Sequence, residues 1–162
     1  MFWKEDMVFW KDVWDLKVDD NIVTVVENHF NRKLPKSFIE IYKQQNGGKP
    51  ARRCYPTQYP NLWADDFVEI DDFWPLQGRS NIIDKNDIYV KNWDFPDIGI
   101  YFASDMTEGD GAFALDYSIV GDGEEPKVSY VYLDGCVFMT ILVANSFDEF
   151  MLGLKKRKEF DK

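Results

Sequence analysis

The sequence predicts an α+β fold in which helices come first, an antiparallel set of strands follows, and one helix closes the chain. Apolar residues recur at helical spacing through the first third of the sequence. Segments rich in β-branched and aromatic residues follow, each bounded by turn residues, and a helix-capping sequence lies near the C-terminus. A length of 162 residues suits one compact domain, so we assign residues 1–162 to a single domain.

An aromatic stripe at the N-terminus predicts a first helix. Trp3, Met7, Trp10 and Trp14 recur at intervals of four, three and four residues, which places them on one side of a helix. Such a face normally packs on the core of its own domain. Two alternatives are a ligand platform and a face shared between two chains.

A second helix is predicted after Asp19 and Asp20. The residues expected to face inward are Ile22, Val25, Val26 and Phe30.

The segment LPKSFIEIYKQQNGG, residues 34–48, predicts a third helix with a sharp end. Pro35 suits the first turn, because its φ is already helical and its missing N–H would have no intrahelical partner. Phe38, Ile41 and Tyr42 form one apolar face. Asn46, Gly47 and Gly48 tolerate positive φ, so they can end the helix and turn the chain away.

The middle of the chain predicts strands joined by tight loops. Residues 51–59 indicate an irregular connection, and residues 80–93 a mixed stretch with a short helix at about 82–88. In the segment 128–133 both alternating faces are apolar enough to be partly covered. The predicted strands are 67–76, 98–104, 112–119, 128–133 and 138–143.

The sequence SFDE at residues 146–149 is typical of a capping box and predicts the final helix. Its expected buried residues are Phe147, Phe150, Met151 and Leu154. The basic cluster at 155–158 is expected in the last turn, where positive charge complements the helix dipole.

Composition narrows the class of protein. No stretch approaches the roughly 18 consecutive apolar residues of a membrane helix, and the N-terminus lacks the features of a signal peptide. We therefore expect a soluble, cytoplasmic protein without a membrane partner. Cys54 and Cys136 lie far apart without metal-ligand spacing, so a disulfide framework or a zinc site is not expected.

Charge is concentrated in one part of the chain. The formal net charge is −10, whereas residues 65–125 contain 16 acidic and 3 basic residues, a local net charge of −13. This distribution argues against nucleic acid as a partner, because phosphate binding relies on clustered Lys and Arg. The same distribution suits binding to a basic protein surface. The alternative interpretation is that the acidic residues only keep the protein soluble.

The residue patterns of catalysis and metal binding are weak. His29 is the single histidine and no nucleophile elbow accompanies it. The loop from Asp105 to Asp116 resembles a calcium loop at its ends, but Asp110 replaces the required glycine, and a strand follows. Adjacent carboxylates such as Asp71 and Asp72 are expected on opposite faces of a strand. A glycosidase or a metal-dependent nuclease that uses such carboxylates stays open as a weak alternative on the residues alone. Our expectation is no enzyme activity, no metal and no cofactor.

Several motifs together resemble the SUKH superfamily, which includes fungal cell-wall-assembly regulators and many bacterial immunity proteins. The strongest is LPKSFIEIYKQQNGG; the later segments IGIYFASD, AFALDYS, KVSYVYLD and ANSFDEFML are also similar. The resemblance extends from about Ile22 to Leu154. It implies a strongly bent, mostly antiparallel sheet of about five to six strands flanked by helices. It also implies structural roles for the motif residues Leu34, Pro35, Phe38, Asn46, Gly47 and Gly48.

The resemblance further implies a non-catalytic bacterial immunity protein that binds the toxin domain of a polymorphic or contact-dependent toxin system, often a nuclease. Such a partner is expected to be basic, so we predict contacts through the acidic segment. The candidate partner-binding residues are Asp65, Asp66, Glu69, Asp71, Asp72, Asp105, Glu108 and Asp110.

Two other functions remain open at this stage. The first is a regulatory module of the cell-wall-regulator type, which would bind a host protein. The second is a carbohydrate or small-ligand binder that uses exposed aromatic residues, with Trp63, Trp74 and Trp93 as candidates.

Overall fold

The computed structural model describes residues 2–4, 10–107 and 109–161. Helices and strands follow the predicted order, helices first and a helix after the strands. The helices are α1 (Lys11–Trp14), α2 (Asp20–Phe30), α3 (Lys36–Gln44), α4 (Ile82–Asn86) and α5 (Phe147–Gly153), with a π-helical turn at Asp87–Asn92 and a 3₁₀ turn at Arg157–Phe160. The strands are β1 (Cys54–Pro56), β2 (Phe67–Phe73), β3 (Gly99–Asp105), β4 (Gly111–Asp116), β5 (Lys127–Asp134) and β6 (Val137–Ala144).

The six strands form one curled sheet in which each strand pairs antiparallel with the next along the chain. This arrangement confirms the predicted α+β class and the bent antiparallel sheet. Because neighbours are antiparallel, successive connections alternate between the two ends of the sheet. We call the end that carries the β1–β2, β3–β4 and β5–β6 connections the hairpin end, and the other the crossover end.

Helices cover both faces of the central strands. On one face α3 and α5 meet the sheet, and Phe38 lies 5.0 Å from Phe147 and 5.9 Å from Phe102 between ring centroids. On the other face the side-chain amide of Asn86 donates to the Tyr101 carbonyl oxygen (2.8 Å) and its oxygen accepts from the Tyr101 amide (2.9 Å). Residues 128–132 of β5 are all buried, which confirms that both its faces are covered.

The aromatic stripe is not a single helix face, which corrects the prediction for the N-terminus. Trp3 forms a bridge with Pro50, its indole donates to the Ile41 carbonyl (3.3 Å), and α1 begins only at Lys11. Trp3 and Trp14 are nonetheless both buried, so these two indoles belong to the core of one chain. Met7 lies outside the described residues.

The second helix forms as predicted, but one inward residue is different. Val23 and Val26 are buried, whereas Val25 is 56% exposed. Ile22 and Phe30 are half-buried against the core, as predicted, so the difference is that Val23 faces inward in place of Val25.

The C-terminal prediction is right about the helix start and wrong about its end. Ser146 accepts a hydrogen bond from the Glu149 amide (3.1 Å), as the capping sequence indicates. The helix ends at Gly153, so the basic cluster at 155–158 lies beyond its last turn. Lys155 instead pairs with Cys54 of β1, a strand in the region that the sequence indicated as irregular.

Candidate functional site

The motif helix α3 anchors the N-terminal half to the core. Leu34 and Phe38 are 5% and 0% exposed, and Pro35 occupies the N-cap position directly before the helix. The Leu34 amide donates to the Glu27 carboxylate (2.8 Å), which joins α3 to α2. These motif residues therefore have the architectural positions that the resemblance implied.

Asn46 connects three segments through its buried amide. Its nitrogen donates to the carbonyl oxygens of Val13 and Gln77, each at 3.0 Å. Its oxygen accepts from the backbone amides of Leu76 (2.9 Å) and Gln77 (3.4 Å). Because Asn46 is 0% exposed, these bonds take the place of the hydrogen bonds that its side-chain amide would make to water.

The two glycines after Asn46 bring the chain against β2. Gly47 has φ of +90°, and a Cβ there would lie 2.7 Å from the Phe73 carbonyl oxygen. Gly48 has φ of +130° and exchanges two backbone hydrogen bonds with Phe73, at 3.1 and 2.8 Å. The motif thus needs glycine both for backbone conformation and for this close approach.

Two of the predicted partner-binding residues are buried and cannot contact a partner in this fold. Glu69 is 3% exposed and lies between Arg53 (3.6 Å) and Arg157 (3.7 Å). Asp105 is 2% exposed and accepts hydrogen bonds from the Thr107 amide (2.9 Å) and from the Tyr130 hydroxyl. Burial raises the pKa of Tyr130, and the adjacent Asp105 carboxylate raises it further. Both carboxylates are structural.

Asp71 and Asp72 do not lie on opposite faces as expected, because the ladder between β2 and β3 shifts register between Ile70 and Phe73. Lys49 Nζ contacts both carboxylates, at 2.5 and 3.1 Å. Burial and the neighbouring Asp71 raise the pKa of the Asp72 carboxyl. The pair is half-buried and already neutralised in part, so it offers little charge to a partner.

The remaining described acidic candidates are exposed at the hairpin end. Asp65 and Asp66 lie in the β1–β2 connection, and Asp110 lies in the β3–β4 connection. Asp134 at the end of β5 adds an exposed carboxylate that sequence reasoning missed, because it lies outside the acidic segment. Glu108 lies outside the described residues.

Large apolar side chains accompany these carboxylates. Trp63 in the β1–β2 connection is 46% exposed, and Trp93 is 48% exposed. Although Trp93 precedes β3, its ring reaches the β3–β4 connection, where a Cβ added to Gly109 would lie 3.6 Å from it. Tyr59 and Leu62 of the same connection are 64% and 50% exposed. Trp74 is only 2% exposed, so it is wrong as a candidate for stacking on a ligand.

Another part of the acidic segment lies at the crossover end. Asp122, Glu124 and Glu125 are exposed in the β4–β5 connection, and Asp97 is exposed just before β3. A cleft of about 210 Å³ there is also lined by Arg32 and Lys33. The acidic residues of the segment 82–94 lie in or just after the helical stretch between β2 and β3. The acidic segment is therefore divided among separate surfaces, and the surface at the crossover end is mixed in charge.

The cysteines are expected to differ sharply in reactivity. Cys136 is exposed in the β5–β6 turn, whereas Cys54 is fully buried, and burial together with Glu69 raises its pKa to about 12. We predict that a maleimide labels native protein once, at Cys136, and labels Cys54 only after denaturation. The Cys136→Ser variant serves as the control, and rapid labelling of that variant under native conditions would contradict the prediction.

Other chemical features are limited in the described part of the chain. His29 is exposed in the last turn of α2, with its ring 4.9 Å from that of Phe30. No group of three or more His, Cys, Asp or Glu residues among those described is arranged to hold a metal ion. Likewise, no described helix is long and apolar enough to cross a membrane.

Fold and motif define an α+β domain built around a helix that ends in Asn-Gly-Gly. The pattern of the SMI1 / KNR4 family (SUKH-1) matches residues 17–153. The chain therefore belongs to this family. A search of curated proteins found no similar sequence.

Proposed function

We propose that this chain is a non-catalytic, cytoplasmic immunity protein that binds and neutralises a cognate toxin domain of a bacterial polymorphic or contact-dependent system. Family membership supports the class of domain. The observation that carries the proposal is the hairpin end, where the exposed carboxylates of Asp65, Asp66 and Asp110 adjoin the exposed rings of Trp63 and Trp93.

This combination suits a protein interface. Aromatic side chains supply buried contact area at the centre of an interface, while charged residues at the rim steer the partner and select it. A nuclease toxin is basic where it holds phosphates, so an acidic surface can both attract it and cover its active site. Inhibition then needs no chemistry from the immunity protein.

A second candidate is a regulatory module of the cell-wall-assembly-regulator kind, which the same surface and the same family support. The identity of the bound protein separates the two, because a regulator would bind a host protein that is not toxic. A small-ligand or carbohydrate binder remains a third candidate, now limited to Trp63 and Trp93 among the three tryptophans considered. A shift in tryptophan emission on sugar titration would support it.

Charge reversal at the hairpin end is expected to weaken toxin binding. We predict that Asp65→Lys, Asp66→Lys and Asp110→Lys together lower the association rate constant for the cognate toxin domain, once affinity capture has identified it, by about tenfold or more at low salt. The effect should shrink as salt rises. Biolayer interferometry against the immobilised toxin domain measures it.

A matched control changes the same charge at the crossover end, through Asp97→Lys, Asp122→Lys and Glu125→Lys, all at exposed positions. This variant should retain most of the wild-type association rate. Equal losses in the two triple variants would mean that net charge, and not the hairpin end, governs binding.

A further inference from the structure

Strand β6 has the features of an open sheet edge. It spans Val137–Ala144, eight residues with the sequence VFMTILVA, and carries neither a charge nor a proline. Among the described residues it pairs with β5 alone, so alternate backbone N–H and C=O groups point away from the sheet. Val137, Met139 and Leu142 are 61%, 42% and 49% exposed.

The opposite edge of the same sheet is protected. Strand β1 is only three residues long and ends in Pro56. Lys155 pairs with Cys54 through two backbone hydrogen bonds, at 2.7 and 3.0 Å. Phe160 packs on Phe67 with ring centroids 4.6 Å apart and holds the C-terminal segment in place. Natural sheets protect edges in this way, so a long apolar edge without such devices is typical of a binding site.

The charges around β6 indicate what it binds. Asp134 is exposed just before the strand, and Asp148 and Glu149 are exposed just after it. Lys127 lies beside the second end, where its ammonium group is 3.4 Å from the Asn145 side-chain oxygen, and offsets this charge only in part. An apolar edge with acidic ends is complementary to an extended segment that has apolar residues in its middle and basic residues at its ends.

A second copy of the chain fits less well. Antiparallel pairing of two β6 strands about their midpoint would bring Asp134 of one copy near Asp148 of the other, and each copy carries a net charge of −10. Repulsion between like charges disfavours that arrangement.

We infer that β6 is a docking strand, which binds an extended, basic-flanked segment of another protein by adding it to the sheet as a seventh strand next to Val137–Ala144. Main-chain hydrogen bonds supply affinity, and contacts with Met139 and Leu142 select apolar side chains. This inference rests on the proposed function, because it takes the bound segment to be part of the toxin. Since Val137 follows the β5–β6 turn directly, the docking strand begins at the hairpin end.

A peptide probe tests the docking strand without the toxin. The probe is Lys-Val-Thr-Val-Thr-Val-Thr-Val-Lys, and chemical-shift changes of the protein amides during titration locate its binding site. We expect the changes to centre on β6 and its neighbour β5. Replacing both lysines of the probe by glutamate should weaken binding by about tenfold at low salt. Methylating alternate peptide nitrogens should abolish binding, because it removes the main-chain hydrogen bonds.

Protein variants give the matching control. Leu142→Lys places a charge on the exposed edge and should weaken probe binding by about tenfold, whereas Val25→Lys, at a similarly exposed position on α2, should leave it unchanged. Absence of amide shifts in β6 at millimolar probe, or equal binding of the methylated probe, would overturn the inference. So would a dimer in sedimentation velocity that Leu142→Lys dissociates, because the occupant would then be a second copy.

The two proposals fail in different ways. If no toxin is captured but the probe binds β6, the docking strand stands and the immunity function fails. If a toxin is captured and Leu142→Lys binds it as tightly as wild type does, the immunity function stands and the docking strand fails.

Discussion

Asn46→Ala is expected to lower the free energy of unfolding by about 3 kcal/mol or more. The fully buried side chain donates to two carbonyl oxygens and accepts from two amides, and alanine would remove all four bonds. The Val13 carbonyl would keep its bond from the Leu16 amide (3.1 Å), whereas the buried Leu76 amide would lose its side-chain acceptor. Each buried group left unsatisfied costs about 1 to 3 kcal/mol, although relaxation recovers part of the sum. Urea denaturation followed by tryptophan fluorescence measures the change.

Asn28→Ala is the matched control for this prediction. Asn28 is exposed on α2, and the same substitution there should change stability by no more than about 0.5 kcal/mol. A loss below about 1 kcal/mol for Asn46→Ala would mean that the three segments are held together by packing, and that the amide is not the link between them.

Gly47→Val is expected to have an effect of similar size, about 3 kcal/mol, which corresponds to a fall in melting temperature of about 6 to 12 °C for a domain of this size. Valine disfavours φ of +90°, and its Cβ would stand 2.7 Å from the Phe73 carbonyl oxygen. The backbone must then move away from β2, against which Gly48 is hydrogen-bonded. Differential scanning calorimetry provides the measurement.

Gly123→Val separates the two causes. Gly123 has φ of +78°, but a Cβ there meets no atom within 4 Å, so only the conformational cost of about 1 to 2 kcal/mol applies. Gly47→Val should therefore be clearly more destabilising than Gly123→Val. Equal falls in melting temperature would show that the close approach to β2 contributes nothing.

Local sequence predicts the elements whose causes are local. The capping serine at 146, the apolar face of α3 and the pair of glycines after Asn46 all lie where the sequence placed them, because caps, periodicity and positive φ depend on a few neighbouring residues. The meander strands are likewise found within one to three residues of their predicted bounds.

Elements that depend on distant contacts were not predictable in this way. Trp3 follows helical spacing but forms a bridge with Pro50, a residue far along the chain, so Trp3 itself does not lie in a helix. The sequence places Lys155 in the last turn of a helix, but in the structure Lys155 pairs with Cys54 along the edge of β1. Tertiary pairing overrides local pattern at both termini.

The position of the acidic residues on the surface also depends on distant contacts, so local sequence could not predict it. Counting charges along the sequence gives one acidic segment, residues 65–125. In a meander, however, successive connections lie at alternate ends of the sheet, so the acidic residues of this segment are separated in space. Partners from elsewhere, including Lys49, Arg53 and Arg157, then neutralise or enclose several of its carboxylates. Asp65, Asp66 and Asp110 remain exposed at the hairpin end, where Asp134 joins them from outside the segment.

An immunity protein binds a toxin and neutralises it. Affinity capture of the tagged chain from the cells that produce it, at low and at high salt, with mass spectrometry of the bound proteins, tests the binding. Expression of the captured protein with and without the chain then tests the neutralisation. We expect one stoichiometric partner that is lost at high salt and is toxic only when the chain is absent. A partner that tolerates high salt and is harmless on its own would contradict the immunity function.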